Sequence, residues 1–233
     1  IKMSVLTKDR ILYEDNHLIA VFKAAGDLVQ GDKTGDITLS DMVKDYIKRK
    51  YKKPGDVYLG TIHRLDRPVS GIVVFARTSK ALTRMNNMFR DDEIQKTYYA
   101  LLDRKPKDLS GVLKHYLTKD HNRNVAKASD RKSKGGKEAE LEYAYIGTSN
   151  HKFLIRIMPK TGRPHQIRVQ LSKVGMPISG DLKYGASSGR GQYIYLHAFQ
   201  LEFIHPVRKE KITLRCPFPD ELNWNFFKEF VQK

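Results

Sequence analysis

The apolar runs of this chain are short, and their length limits the possible folds more than any other feature. The run "GIVVFA" at 71–76 is typical, and it falls far short of the roughly 20 residues that a membrane-spanning helix needs. Short runs rich in β-branched residues and bounded by turn-forming residues predict β-strands. Because 40% of the 233 residues are hydrophobic, the chain can bury a substantial core. We therefore expect a compact, strand-rich protein.

Amphipathic stretches lie between these runs and predict helices. In 38–51, Leu39, Met42, Val43 and Ile47 recur at helical spacing, with Ser40 as a candidate N-cap. The other predicted helices cover 78–92, capped by Thr78 or Ser79, 163–175, with Pro164 in its first turn, and a short aromatic segment near the C terminus. Two short strands are predicted within 11–23, joined by a polar turn at Asp15 and Asn16. The other predicted strands cover 56–60, 71–77, 93–103, 138–147, 151–159, 193–206 and 211–219.

This mixture predicts an α+β fold, with a large mixed, mostly antiparallel β-sheet flanked by helices and loops. The chain shows no internal repeat and no clear linker, so we expect a single domain over residues 1–233. In the third helix, placing Ile167, Leu171 and Val174 toward the core would make His165 and Arg168 project from its flank. The N-terminus of such a helix attracts anions.

The charge of the chain indicates a polyanionic partner. Lys and Arg number 43 against 26 Asp and Glu, a formal net charge of +17, and nucleic acid is the first candidate. The alternative is a lysine-rich surface that serves solubility alone. Residues 114–137 are especially basic, and we interpret them as a mobile loop in which Lys132, Lys134 and Lys137 contact RNA.

Cysteine usage and motif content exclude several classes of site. The lone Cys216 cannot form an intramolecular disulfide or a cysteine-rich zinc site. With no signal-peptide pattern either, we expect a cytoplasmic protein. The sequence contains no His-Glu-x-x-His zinc motif, P-loop, Gly-x-Ser-x-Gly elbow or dinucleotide fingerprint. Nothing in it demands a cofactor or a metal.

The segment "GTIHRLDRPVSGIVV" at 60–74 places the single acid Asp66 between Arg64 and Arg67, close to His63. A carboxylate near several cations is held ionised, and an ionised carboxylate can act as a nucleophile. The alternative is an ion pair that only orders the loop.

Two further segments are candidates for binding. "TGRPHQIR" at 161–168 delivers Arg163, His165, Gln166 and Arg168 to one helix start, which suits phosphate binding, although a solvated helix start reads the same way. In "KTYYALL" at 96–102, adjacent strand tyrosines point to opposite faces, so one of them can face a groove and stack on a base.

Together, "HRLDRPVSGIVVFAR", "KTYYAL", "TGRPHQIRVQLSKVGMPISGDLKYG" and "LHAFQLEFIHP" resemble, in this order, the RluA family of pseudouridine synthases. They span about 60–206 of the chain. The resemblance implies the pseudouridine synthase fold with a basic active-site cleft. Many members of the family carry an N-terminal S4 RNA-binding domain; because only 65 residues precede Asp66, we expect none here.

The resemblance also implies an activity: a uridine in RNA is detached at its N1–C1′ bond, turned, and rejoined through C5, without metal or organic cofactor. Asp66 is then the essential carboxylate, which either attacks the sugar or base or assists glycal formation. Arg168 is its basic partner, and Tyr98 packs on the target base. The implied RNA contacts are Arg64, Arg67 and Arg163, with His63, His165 and Gln166 beside them.

Several alternatives remain open at this point. The substrate is ribosomal or transfer RNA, and a monomer is the default. The competing hypothesis is a non-catalytic RNA-binding or ribosome-assembly protein on the same scaffold. The chain departs from the family pattern at two positions, with Val69 where Thr is common and Gln170 where His is frequent. Neither position is that of the proposed nucleophile.

Overall fold

The computed structural model describes residues 5–31, 35–120, 123–189 and 193–231. The chain forms two compact units. The first unit comprises Ile1–Ile94 and Gln200–Pro217, and the second comprises Gln95–Phe199 and Phe218–Lys233. The expectation of one domain over the whole chain stays a prediction.

Eleven strands and four α-helices occur in the described residues. The strands are β1 (Ile11–Glu14), β2 (Leu18–Lys23), β3 (Gly60–Thr61), β4 (Ser70–Ala76), β5 (Gln95–Leu102), β6 (Ser110–Asp120), β7 (Val125–Ser129), β8 (Lys137–Ser149), β9 (Lys152–Pro159), β10 (Leu196–Ile204) and β11 (Lys211–Arg215). The helices are α1 (Leu39–Lys50), α2 (Ser79–Arg90), α3 (Gln166–Lys173) and α4 (Leu222–Asn225). Strands thus dominate, helices are interspersed, and the predicted α+β class is confirmed.

In the first unit, β2 pairs antiparallel with both β1 and β4, β3 pairs with β4, and β11 pairs with β10. Every residue of β4 is buried, as expected for a continuous apolar run inside a sheet. The strand expected at 56–60 is largely wrong, because pairing with β4 begins only at Gly60. A Cβ at Gly60 would lie 2.8 Å from Cδ2 of Leu82, so glycine here allows α2 to approach the sheet.

The helix starts of the first unit follow from side-chain capping. The Thr38 hydroxyl accepts from the Asp41 amide at 3.1 Å, and the Asp41 carboxylate accepts from the Thr38 amide at 3.1 Å. This capping box makes Thr38 the N-cap of α1, so the assignment to Ser40 was wrong. Thr78, one of the two expected residues, caps α2.

In the second unit, the strand order is β5-β9-β8-β6-β7 and every pair is antiparallel. The mobile basic loop expected at 114–137 is therefore wrong over most of its length, because β6 and β7 form a hairpin there. Residues 121–122 of this stretch lie outside the described residues. Leu117, Ala126 and Ala139 are buried while the lysines point outward. The basic composition concealed this alternation.

Helix α3 also differs from the expectation. It begins at Gln166, after His165 in the left-handed conformation with φ 55°, so Pro164 precedes the helix. All six residues from Gln166 to Leu171 are buried, whereas Val174 is 41% exposed. The helix is enclosed because Val169 packs with Leu117, Ala126, Ala139 and Tyr184. The expectation that Val174 faces the core was therefore wrong, and the side chain of Arg168 is itself enclosed.

The C-terminal aromatic helix is confirmed as α4, where Trp224 is fully buried. It packs in a cluster with Tyr99, Phe218 and Phe227. Across the described residues, no helix is long and apolar enough to cross a membrane.

Candidate active site

The loop that carries Asp66 joins β3 to β4 in the first unit and is fixed by its own residues. Nε2 of His63 accepts the Val74 amide at 3.0 Å, and the His63 ring stacks on Phe89 at 4.9 Å between centroids. Within the loop, the Val69 amide donates to the Asp66 carbonyl at 3.0 Å. His63 therefore anchors the loop to β4, and its predicted RNA contact stays a prediction.

Lys23, at the end of β2, lies beneath this loop and was missed by sequence reasoning. It is fully buried, and Nζ donates to the carbonyls of Ala24 at 3.1 Å, Arg67 at 3.0 Å and Val69 at 2.7 Å. An ammonium has three N–H groups, one for each of these acceptors. Lys23 thus fixes the main chain immediately after Asp66 through hydrogen bonds to its carbonyls.

Two opposing effects set the pKa of Lys23. Burial lowers the pKa of Lys23 to about 7, while the carboxylates of Asp27 and Asp66 act in the opposite direction. The Asp66 carboxylate therefore interacts electrostatically with a buried amine that exchanges its proton near neutrality.

The two arginines of the loop differ in their surroundings. Arg67 donates from Nε to the Gly26 carbonyl at 3.1 Å and from Nη2 to Asp36 at 2.9 Å. Arg64 is exposed and makes no side-chain hydrogen bond to any described residue. Of the pair, Arg64 is the cation that is available to a phosphate.

In the second unit, Arg168 and Asp181 form a buried bidentate pair. Nε and Nη2 of Arg168 donate to the two carboxylate oxygens at 2.7 and 2.9 Å, and the residues are 5% and 1% exposed. Two parallel hydrogen bonds fix the plane of the guanidinium. Asp181 directly precedes the turn Leu182–Tyr184, and sequence reasoning missed its role in holding Arg168.

The turn before α3 is attached to the neighbouring strand β8. Oε1 of Gln166 accepts from the Arg163 amide at 2.9 Å and the Thr161 hydroxyl at 2.7 Å, while Nε2 donates to the Glu140 carbonyl at 3.0 Å. Nε of Arg163 donates to the Glu138 carbonyl at 3.0 Å. Gln166 and Arg163 therefore shape this segment, and their RNA contacts stay predictions.

His165 and Arg168 meet at one aromatic residue, Tyr184. Nδ1 of His165 is 2.6 Å from the Tyr184 hydroxyl, and Cζ of Arg168 lies 4.9 Å from the centre of the Tyr184 ring. Of the four predicted residues of the "TGRPHQIR" segment, His165 and Arg168 thus share one partner, whereas Arg163 and Gln166 contact each other and β8.

The two tyrosines of β5 occupy opposite faces, as predicted. Tyr99 is 8% exposed and makes edge contacts with Phe199 and Phe218. Tyr98 is half-buried on the other face. Tyr99 belongs to the core, which leaves Tyr98 as the tyrosine for a groove.

The basic residues expected to bind RNA lie around the turn after β7. We call residues 130–137 the basic turn; its Lys132, Lys134 and Lys137 are exposed. None of the three makes an ion pair with any residue that the structure describes. In contrast, Asp130 at the start of the turn pairs with Lys173 at 3.0 Å.

The predicted site residues fall into both units. His63, Arg64, Asp66 and Arg67 belong to the first unit, while the predicted residues that follow Gln95 belong to the second. The joint action of Asp66, Tyr98 and Arg168 stays a prediction, as does the basic active-site cleft.

The described residues form an α+β fold of mostly antiparallel strands. The fold carries an acid on a basic loop and a buried arginine at the start of a helix. These features are expected of one class of protein, an enzyme that acts on a polyanion. A family model described as RNA pseudouridylate synthase matches residues 17–173. The chain therefore belongs to the RNA pseudouridylate synthase family, and its resemblance to RluA-type members is confirmed.

Similar proteins carry consistent names. The chain is 31% identical over 230 residues to a ribosomal large subunit pseudouridine synthase C of Rickettsia felis, covering 97% of this chain and 72% of that protein. It is 29% identical over 216 residues to an uncharacterized RNA pseudouridine synthase of Bacillus subtilis, covering 91% of this chain and 69% of that protein.

The fold is found in solved structures as well. Human RNA pseudouridylate synthase domain containing 4 superposes with a TM-score of 0.77 at 22% identity, covering 96% of this chain and 93% of that one. Human RNA pseudouridylate synthase domain containing 1 gives 0.70 at 24% identity, covering 92% and 85%.

The protein is an RNA pseudouridine synthase, an isomerase whose substrate is RNA. The alternative of a non-catalytic RNA-binding or ribosome-assembly protein is set aside. The sequence-based prediction of the activity is confirmed.

Proposed function

We propose that this enzyme isomerises a uridine in large-subunit ribosomal RNA, with Asp66 as the essential carboxylate. The relatives named ribosomal large subunit pseudouridine synthase C support the ribosomal substrate over transfer RNA. The observation that carries the assignment of Asp66 is its place on a loop that hydrogen bonds of His63 and Lys23 hold in position. A group that reacts covalently must be held in a fixed geometry.

The chemistry asked of Asp66 fits an ionised carboxylate. The N1–C1′ bond of uridine breaks, the base turns, C5 bonds to C1′, the proton on C5 is lost, and N1 gains a proton, so that the product is an isomer of the substrate. Asp66 either adds covalently to the uridine or assists formation of a glycal. Both routes need a carboxylate that is ionised at the start.

Tyr98 and Arg168 are proposed to complete the catalytic group. Tyr98 lies on the face of β5 opposite the aromatic core and packs on the target base. Arg168 supports the carboxylate of Asp66, and its own orientation is set by Asp181. An arginine already fixed on one side by an acid presents its remaining N–H donors in a defined direction.

RNA binding is assigned to cations around these groups. Arg64, Arg67 and Arg163 contact phosphates next to the target or help to displace its base, with His63, His165 and Gln166 beside them. Extracting a uridine from its stack has an energetic cost that such contacts offset. Lys132, Lys134 and Lys137 of the basic turn extend the contact along the RNA backbone.

We further propose that the enzyme acts in the cytoplasm as a monomer, with residues 1–233 forming one catalytic domain that needs neither a metal nor an organic cofactor. Modified ribosomal RNA is its product, and ribosomal RNA is made and assembled in that compartment in the bacteria that hold the named relatives.

Pseudouridine mapping on total RNA tests this proposal. Carbodiimide labelling and reverse transcription are applied to cells of the source organism with and without the gene, and to cells complemented with Asp66→Ala. We expect one or a few sites in large-subunit ribosomal RNA to disappear and to return with the wild type only. Loss of a transfer RNA site instead would overturn the substrate, and restoration by Asp66→Ala would overturn the role of Asp66.

A further inference from the structure

Tyr184 has no task in the function proposed above, yet it contacts Arg168 and His165, two residues to which that function assigns roles. It ends the short turn Leu182–Tyr184 that follows Asp181, and it is 6% exposed. Its ring and its hydroxyl have different partners, so the two parts of this side chain can be considered separately.

The ring lies against Arg168. Cζ of the guanidinium is 4.9 Å from the ring centre, within the range of a cation–π contact. The Tyr184 amide donates to the Asp181 carbonyl at 3.0 Å. One turn of chain thus supplies both the carboxylate at the edge of the guanidinium and the aromatic surface beside it.

The hydroxyl lies against β7. The Ala126 amide donates to the Tyr184 oxygen at 2.9 Å, in a buried bond. Among the described strands, β7 is the last in the order of its sheet, and an edge strand has amides without a strand partner. Because this oxygen already accepts one hydrogen bond, we assign the hydroxyl proton to Nδ1 of His165, 2.6 Å away. The basic turn follows directly after β7, so the hydroxyl fixes the strand that carries it.

We propose that Tyr184 is a positioning residue with two separable tasks: its ring orients Arg168 for catalysis, and its hydroxyl holds β7 so that the basic turn meets the RNA. This inference rests on the proposed roles of Arg168 and of the basic turn. It assigns to one side chain a contribution to turnover and a contribution to RNA affinity, which substitutions can measure independently.

The substitutions Tyr184→Phe and Tyr184→Leu separate the two tasks. The phenylalanine keeps the ring and removes the hydroxyl, so KM should rise about fivefold while kcat stays within about twofold, the size expected for one lost hydrogen bond. The leucine removes both, so kcat should fall about tenfold in addition, as expected for loss of a buried cation–π contact. The recovery of kcat by phenylalanine, but not of KM, is the signature of two tasks.

The assay uses large-subunit ribosomal RNA from cells that lack this gene, labelled with [5-³H]uridine, and measures the tritium released when C5 is substituted. The matched control is Tyr193→Phe in the same unit. Its hydroxyl accepts a hydrogen bond from Nε1 of Trp224 at 2.9 Å, and it should lose similar stability with unchanged kcat and KM. Urea unfolding of each variant gives that stability, and if Tyr184→Leu does not fold, Tyr184→Phe and the control still test the hydroxyl.

Unchanged KM in Tyr184→Phe, or a fall in its kcat like that of the leucine variant, would overturn the inference. Failure of the proposed function looks different. Unchanged KM on changing Lys132, Lys134 and Lys137 to Gln would remove the basic turn from RNA binding, and unchanged kcat in Arg168→Lys would remove Arg168 from catalysis, whatever Tyr184 does.

Discussion

The Asp66 loop and the start of α3 are both rich in cations, but they are held in different ways. The loop depends on one buried lysine that donates to three main-chain carbonyls, with a pKa of about 7. The start of α3 depends on an arginine paired with a buried carboxylate, and arginine stays charged at any pH that a protein tolerates. The first arrangement therefore responds to pH near neutrality, while the second is constant.

The pair in the second unit should give the largest effect on stability. Asp181→Asn removes the negative charge from the buried bidentate pair with Arg168, and breaking a buried ion pair through one of its partners costs about 3–5 kcal/mol of unfolding free energy. The matched control is Asp130→Asn, because Asp130 is 71% exposed and pairs with Lys173 at the surface; it should cost less than about 1 kcal/mol. Urea unfolding measures both. Equal losses of unfolding free energy in the two variants would contradict the prediction that the buried Arg168–Asp181 pair contributes more to stability than the exposed Asp130–Lys173 pair.

Lys23 should make the stability of the fold depend on pH. Its pKa is about 7 in the folded chain and about 10.4 when unfolded. Between these values the unfolded chain binds the proton and the folded chain does not. The free energy of unfolding therefore rises with pH in this window, by up to about 1.4 kcal/mol per pH unit from this group. Below pH 7 both states are protonated and its contribution is constant.

The substitution Lys23→Met tests this dependence. It should remove the added slope between pH 7 and 10, measured by urea unfolding at several pH values. Lys48→Met, at an exposed position of α1, should keep the slope of the wild type. A slope that persists in Lys23→Met would assign the titration to another group.

The arginines of the loop should give the smallest effect. Arg64 is exposed and makes no ion pair to a described residue, whereas Arg67 is already paired with Asp36 at 2.9 Å. Arg64→Gln should reduce the slope of log affinity for RNA against log salt by about 1, as expected for one lost phosphate contact. Arg67→Gln should reduce it less. The reverse order, from filter binding at several salt concentrations, would contradict the difference between these arginines.

Much of the fold could be predicted from the sequence because its signals are local. The alternation and length of the apolar runs located β2, β4 and β9. The β6–β7 hairpin was not predicted, because its many charged residues obscured the alternation of buried and exposed positions. Asp66, Tyr98 and Arg168 were predicted from motifs in the order of a known family, and their catalytic roles stay a proposal. The choice of Tyr98 over Tyr99 agrees with the burial of Tyr99.

The supporting residues could not be predicted, because their roles depend on contacts between distant positions. Lys23 reads as the polar end of a strand until the carbonyls of Arg67 and Val69 are placed around it. Asp181 reads as a turn residue until Arg168 reaches it. The burial of α3 on more than one side could not be predicted either, because the β6–β7 hairpin that covers it was interpreted as a loop.

The central claim is that Asp66 is the reacting carboxylate, and one substitution tests it most directly. Asp66→Asn keeps the size of the side chain and removes its charge, and it is compared with the wild type in tritium release from [5-³H]uridine-labelled large-subunit ribosomal RNA of cells without the gene. We predict no release above background, with RNA affinity equal to or higher than that of the wild type. Turnover within about tenfold of the wild type would contradict the account, because a missing nucleophile costs far more than that.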